Sequence, residues 1–107
     1  MSVAKQITNY LIGNFENVRT TEINNSLWYA AIDITAQLDY SNNYKAIKDH
    51  CNVNGVQKVV CAESGRPHPT LFINDENLCR LVLASKMKKA KKMQEYIFNT
   101  MYSETSF

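Results

Sequence analysis

The sequence predicts an α+β fold, a single compact domain with a small antiparallel sheet of hairpins and about four helices. Three observations predict it. The first third of the chain and residues 56–73 are rich in β-branched and aromatic residues broken by Asn, Ser, Gly and Pro, the pattern of hairpins. After Ala30, and again after Asn74, apolar residues recur three and four apart, the pattern of helices. Gly (3) and Pro (2) are too sparse for a linker, and 107 residues suit one domain with one modest core.

Residues 1–14 read as a lead-in, 15–102 as the domain and 103–107 as a tail. From Tyr10 to Tyr29 the pattern reads as β. Leu11, Ile12, Phe15 and Val18 precede the Thr-rich Arg19–Ile23, and Leu27-Trp28-Tyr29 is the return strand. Asn24-Asn25-Ser26 makes the turn, because asparagine tolerates a left-handed backbone. Ile34 and Leu38 then mark a first helix, with Asp33 at or near its start as a cap. After Asp39–Asn43, Asn42 or Asn43 caps a second short helix through Asp49, with Ala46 and Ile47 on its apolar side. The two helices and their turn resemble a helix-turn-helix unit. Val56–Cys61 reads as a strand, Ser64–Pro69 as a stiff loop presenting Arg66, and Thr70–Ile73 as the last strand. Asn74 caps a third helix that carries Asp75 and Glu76 in its first turn and Leu78, Leu81 and Val82 inward. In the final helix Met87, Ala90, Met93, Ile97 and Met101 form one stripe, and Lys88, Lys91, Lys92 and Glu95 lie opposite. Trp28, Tyr40, Ile47, Leu78 and Leu81 are expected in the core.

Charge is uneven: the net is −2 through residue 76 and +4 from residue 77 onward. A basic C-terminal third favours a polyanionic partner. Catalytic classes find little support. Three scattered glycines build no phosphate loop, no carboxylate pair stands out by spacing, and nothing activates a Cys–His pair. Cys51, Cys61, Cys79, His50 and His68 match no zinc spacing. Cys51, Cys61 and Cys79 are odd in number and unpaired in motif, as in a reducing compartment, where each acts as a small hydrophobe. Met1–Leu11 lacks a signal-peptide layout, and no apolar run approaches the ~18 residues of a membrane span. The expectation is a non-enzymatic protein of the cytoplasm or nucleus, with no cofactor, no metal and no membrane.

Three segments in order resemble the Bro-N domain of baculovirus repeated-ORF proteins and phage antirepressors. Asn17-Val18-Arg19-Thr20 with Leu27–Ile34 resembles the family's arginine strand, Trp-aromatic pair and helix aspartate. Leu38–Asn43 with Ala46-Ile47 and His50 resembles its Leu-Gly-Tyr turn and Ala-Ile-x-x-His helix. Phe72–Ser85 followed by Ala90-Lys91-Lys92 resembles its Ile-Asn-Glu run and Ala-Lys-Lys helix. Asp39 and Asn77 stand where the family carries glycines, and Tyr96 lies near its usual tryptophan. A proline that usually follows is missing. The resemblance implies an α+β fold and DNA binding in viral or phage transcription regulation or antirepression.

The expected interface combines phosphate contacts from basic residues with base contacts from polar ones. Its candidates are Arg19, Asn42, Asn43, Tyr44, Lys45, Lys48, Arg66, Arg80, Lys88 and Lys92, with Asn25 at the hairpin turn. The alternative is a protein-interaction module that inactivates a repressor or other host protein. Met87, Phe98 and Tyr102 then offer an apolar face for that partner or for a homodimer.

Overall fold

A computed structural model describes residues 3–63 and 65–104. Its elements, in order, are α1 (Val3–Ile12), β1 (Thr20–Ile23), β2 (Ser26–Ala30), α2 (Ala31–Gln37), α3 (Asn43–His50), a 3-10 turn (Val53–Gly55), β3 (Val56–Glu63), β4 (Arg66–Ile73), α4 (Asp75–Ala84) and α5 (Lys88–Glu104). The four strands form one antiparallel sheet in the order β1-β2-β4-β3. The α+β class holds, and the helix beyond the expected four is α1.

That helix corrects the β reading of residues 10–12. Val3, Ile7 and Leu11 recur every four residues, and Ile7 and Leu11 are buried with α4 and α5. Tyr10 stacks on Tyr96 of α5, rings parallel and 3.9 Å apart. The chain leaves α1 through a turn rather than a strand, with Phe15 buried and Asn17 at φ 54°. The β1–β2 hairpin is as expected: Asn24 and Asn25 both take left-handed angles (φ 50° and 66°), the pair a tight two-residue turn demands. Asn25 is therefore committed to the turn. Trp28, expected in the core, is half-buried on a two-stranded stretch.

The second correction concerns Ser64–Pro69. Ser64 lies outside the described residues, and β4 already begins at Arg66, pairing in register with β3 from Glu63↔Arg66 to Val56↔Ile73. Two prolines sit in this strand because β2 reaches only Phe72 and Ile73. Residues 66–71 have β3 as strand neighbour on one side only, so a missing N–H is tolerated there.

The core gathers Ile34, Leu38, Ile47, Ile73, Leu78, Leu81, Val82, Ala90, Met93 and Ile97 with Ile7 and Leu11. The α5 stripe is thus seated as expected over Ala90, Met93 and Ile97, while Met101 at its far end is exposed. One polar knot joins the start of the 3-10 turn to α4. Asn77 is fully buried; its Oδ1 accepts from the Asn52 N–H (2.7 Å) and its Nδ2 donates to the Asn52 carbonyl (2.9 Å). Asn77 sits in the first turn of α4 with helical backbone, so it does not fill the left-handed role that a glycine replacement suggests. Asn74 caps the same helix through the Asn77 N–H, and Gly55 lies against it: a Cβ at Gly55 would fall on the Asn74 carboxamide.

Candidate nucleic-acid interface

The unit α2–turn–α3 is fixed by local chemistry. Leu38 is buried and ends α2, and Asp39 takes φ 61°, so an aspartate fills the glycine-like position of the turn. The Tyr40 hydroxyl donates to the Leu81 carbonyl (2.7 Å), which fastens the turn to α4; burial pushes this phenol's pKa up. Asn42 caps α3 by accepting from the Lys45 N–H (3.0 Å). Ala46 and Ile47 face inward, and Tyr44, Lys45, Lys48 and Asp49 face outward. Tyr44 is 68% exposed, a large aromatic ring in the open.

Beside α3 runs the part of the β3–β4 hairpin that β2 does not reach. A cleft of about 140 Å³ lies between them, lined by Arg19, Ile32, Tyr44, Ile47 and the β4 stretch His68–Leu71. The fold therefore brings Arg19 and Tyr44 together and adds His68, which was not among the expected site residues. Its alternation within a strand was hidden by the loop reading of residues 64–69. Arg66 is exposed further along the same strand. Thr70, on the cleft wall, buries a hydroxyl that has no hydrogen-bond partner among the described residues.

Several expected contacts are modified by ion pairing. Asp33 does not cap α2, whose N-cap residue Ala30 makes no side-chain bond. Its carboxylate instead accepts from the Arg19 backbone N–H (2.9 Å), from Nε (3.0 Å) and from NH2 (3.1 Å). Partial burial pushes the Asp33 carboxyl up, but the Arg19 side chain and amide outweigh it and hold it below its ordinary value. Arg19 is thus a clamp between the β1 start and α2, not an uncommitted phosphate ligand. Asn43 is half-buried and its Oδ1 is enclosed, so it does not present a base-reading carboxamide. Lys45 pairs with Asp49 at 2.6 Å, an exposed i,i+4 contact that holds Asp49 below its ordinary value. Arg80 pairs with Glu76 (2.9 Å) on α4 and lines a different cleft, shared with α1 and the end of α5.

Lys88 and Lys92 belong to a second surface. With Lys89 and Asn14 they line an open recess of about 520 Å³ at the start of α5. Lys86 lines the neighbouring recess with Asp39, Ser41 and His50, which connects this surface to the α2–α3 turn. Of the apolar face, Phe98 is 52% exposed, Met87 is half-buried, and the Tyr102 side chain lies outside the described residues.

Among the described residues no cluster of His, Cys, Asp and Glu is arranged to hold a metal ion, and no helix is long and apolar enough to cross a membrane. Burial pushes the Cys51 and Cys79 thiols up to about 11, so both are neutral thiols at neutral pH.

Residues 17–103 match the BRO family, N-terminal domain (Bro-N). An uncharacterized protein of Haemophilus influenzae (strain ATCC 51907 / DSM 11121 / KW20 / Rd) is 32% identical over 71 residues, which cover 66% of this chain and 35% of that protein. The chain thus matches about a third of that relative's length. No solved structure matches the chain. With the arginine strand, the helix aspartate it grips, the Tyr40 turn and the α4–α5 run all inside the matched segment, the chain belongs to the BRO family through its N-terminal Bro-N domain.

Proposed function

We propose that this domain binds nucleic acid, duplex DNA in the first instance, as a regulatory module of viral or phage type acting in transcription control or antirepression. The observation that carries the reading is the meeting of α3 with the open part of the β3–β4 hairpin across the Arg19–Tyr44–His68 cleft. A short helix and a two-stranded ribbon are the two elements a major groove admits. The eight residues of α3 span ~12 Å, about the width of that groove. Tyr44 and Lys48 project from the helix, Arg66 and His68 from the ribbon, and the clamped Arg19 fixes the cleft between them. The role is binding, without a cofactor and without a chemical step.

A different surface favours a protein partner. Val3, Ile7, Leu83, Ile97 and Met101 line an apolar groove of about 690 Å³ between α1, α4 and α5, on whose last helix Phe98 is also exposed. A repressor, another host protein or a second copy of the chain fits that surface in kind, since exposed apolar patches mark interaction sites.

Fluorescence anisotropy with labelled duplex over a salt series separates the two. Duplex binding that weakens steeply with salt and drops in a Tyr44→Ala, Lys48→Ala double variant supports the nucleic-acid reading. Full affinity in that folded double variant removes α3 from the site, and no binding by the native chain at low salt removes the reading.

A further inference from the structure

We infer that affinity for the phosphate backbone resides mainly at the start of α5, in a lysine ledge formed by Lys86, Lys88, Lys89 and Lys92, while the α3–hairpin cleft supplies orientation and less net charge. The inference rests on the nucleic-acid reading and assigns its division of labour.

The first support is how charge is spent. Around α3 two of the basic groups are answered by carboxylates, Arg19 by Asp33 and Lys45 by Asp49, which leaves Lys48 as the exposed lysine of that helix. On α4, Arg80 is answered by Glu76. A cation already paired with the protein's own anion must give up that pair to neutralise a phosphate, so it contributes less to counterion-release affinity. At the start of α5 no carboxylate forms an ion pair with Lys86, Lys88, Lys89 or Lys92 among the described residues, and the first turn of the helix contains no acid.

The second support is that the arrangement works against folding. The N-terminal end of a helix is already positive, so cations there are unfavourable and anions favourable. Lys88 and Lys92 are four apart, and Lys89 and Lys92 three apart, spacings at which like charges repel along a helix. Both penalties vanish when a polyanion lies across the ledge. The Phe15 ring compensates Lys89 in part, and a cluster that otherwise breaks two local rules is expected where function requires it.

The third support is rigidity. The α4–α5 corner that presents the lysines is pinned on three sides. The Ser85 hydroxyl accepts from the Met87 N–H (3.2 Å) and donates to the Leu38 carbonyl (3.5 Å). Gln94, a turn further along α5, donates from Nε2 to the Val82 and Ser85 carbonyls (2.9 and 2.8 Å). Lys89 lies over the Phe15 ring at 5.6 Å, which fixes its stem. The backbone that carries the ledge is held in place before any ligand arrives, and the recess of Asp39, Ser41, His50 and Lys86 brings it beside the turn that orients α3.

The test uses the full chain and a labelled random duplex, comparing the native protein with a Lys88→Gln, Lys89→Gln, Lys92→Gln triple variant. Each lost phosphate contact lowers the log–log salt slope by ~0.9, so the triple variant should lose about 2–3 from the slope and at least tenfold in low-salt affinity. Its melting temperature should not fall. A native protein that binds while the folded triple variant keeps the same slope overturns the ledge and leaves the nucleic-acid reading standing. A native protein that does not bind duplex at low salt overturns both. If the triple variant melts early, a Lys86→Gln, Lys88→Gln pair, which leaves the Phe15 contact intact, decides the matter by the same slope, expected to fall by about 1–2.

Discussion

The asparagine knot beneath α4 and the lysine ledge above α5 sit at opposite ends of the same two-helix unit, and they are built on opposite principles. In the knot, Asn77 is fully buried and satisfied by both backbone groups of Asn52, Asn74 caps α4, and Gly55 leaves room for that cap. Every polar group there has a partner inside the protein, as buried groups require. On the ledge, lysines crowd the positive end of a helix whose first turn holds no acid. The first region is organised for the fold; the second, on the proposed division of labour, serves a polyanion at some cost to the fold.

The largest effect should come from breaking the knot. Asn77→Ala strands the N–H and the carbonyl of Asn52 and opens a small cavity, and should cost ~2–3 kcal/mol in urea unfolding. Gly55→Ala reaches the same knot from outside. It drives Asn74 off the Asn77 N–H and should cost ~1–2 kcal/mol, the value of a helix cap. Asn77→Ala as stable as the native chain would mean that the knot contributes nothing, and the contrast with the ledge would lose one of its two sides.

Next comes the Arg19–Asp33 clamp, which couples the sheet to α2. Asp33→Asn should cost ~1–2 kcal/mol at neutral pH, at the low end for a charged hydrogen bond because the Arg19 side chain is 37% exposed. The carboxyl has a lower pKa folded than unfolded, so the clamp contributes fully above the ordinary value of about 3.9 and fades as pH falls through the folded value. The stability gap between native and Asp33→Asn should therefore close in acid. A gap that stays constant to low pH would show that packing, not charge, is what the substitution removes.

These two predictions also mark how far the sequence was legible. Helices α2 to α5, the β1–β2 hairpin and both asparagine N-caps followed from local chemistry, because spacing and capping are local signals. The Arg19–Asp33 pair is fourteen residues apart and Asn52–Asn77 twenty-five, and no local rule couples such positions. Asp33 therefore read as a cap, and Asn77 as a stand-in for a family glycine. The loop reading of Ser64–Pro69 failed for a related reason. Proline signals a break unless one knows that β2 stops short of residues 66–71, and that is a fact of topology. α1 was missed because Leu11 and Ile12 were grouped with Phe15 and Val18 rather than with Val3 and Ile7. Of the site, the lysines and Tyr44 were visible as exposed charge and ring, while His68 emerged only once the hairpin was in place.

Smaller again are the α3 lysines. Lys45→Ala with Lys48→Ala should leave the unfolding midpoint nearly unchanged, since Lys48 is exposed and the Lys45–Asp49 pair is an exposed helix contact. The double variant should lose duplex affinity by less than the ledge triple variant does and keep most of the salt slope. An equal or larger loss of slope would move the phosphate contacts from α5 to α3 and reverse the proposed division.

The smallest effect is the most discriminating. Lys88→Gln removes one positive charge from the end of α5 and one repulsive neighbour of Lys92. If the ledge is built against stability, this single change should raise the melting temperature by about 1–2 °C at low salt. Added salt screens surface charges over a Debye length of roughly 10 Å, so the gain should vanish in concentrated salt. A structural lysine behaves in the opposite way: its loss lowers the melting temperature, and the loss persists in salt where packing of its stem is responsible. The sign of a shift of one or two degrees, read at two salt concentrations without any ligand present, thus tests the functional argument from the folding side.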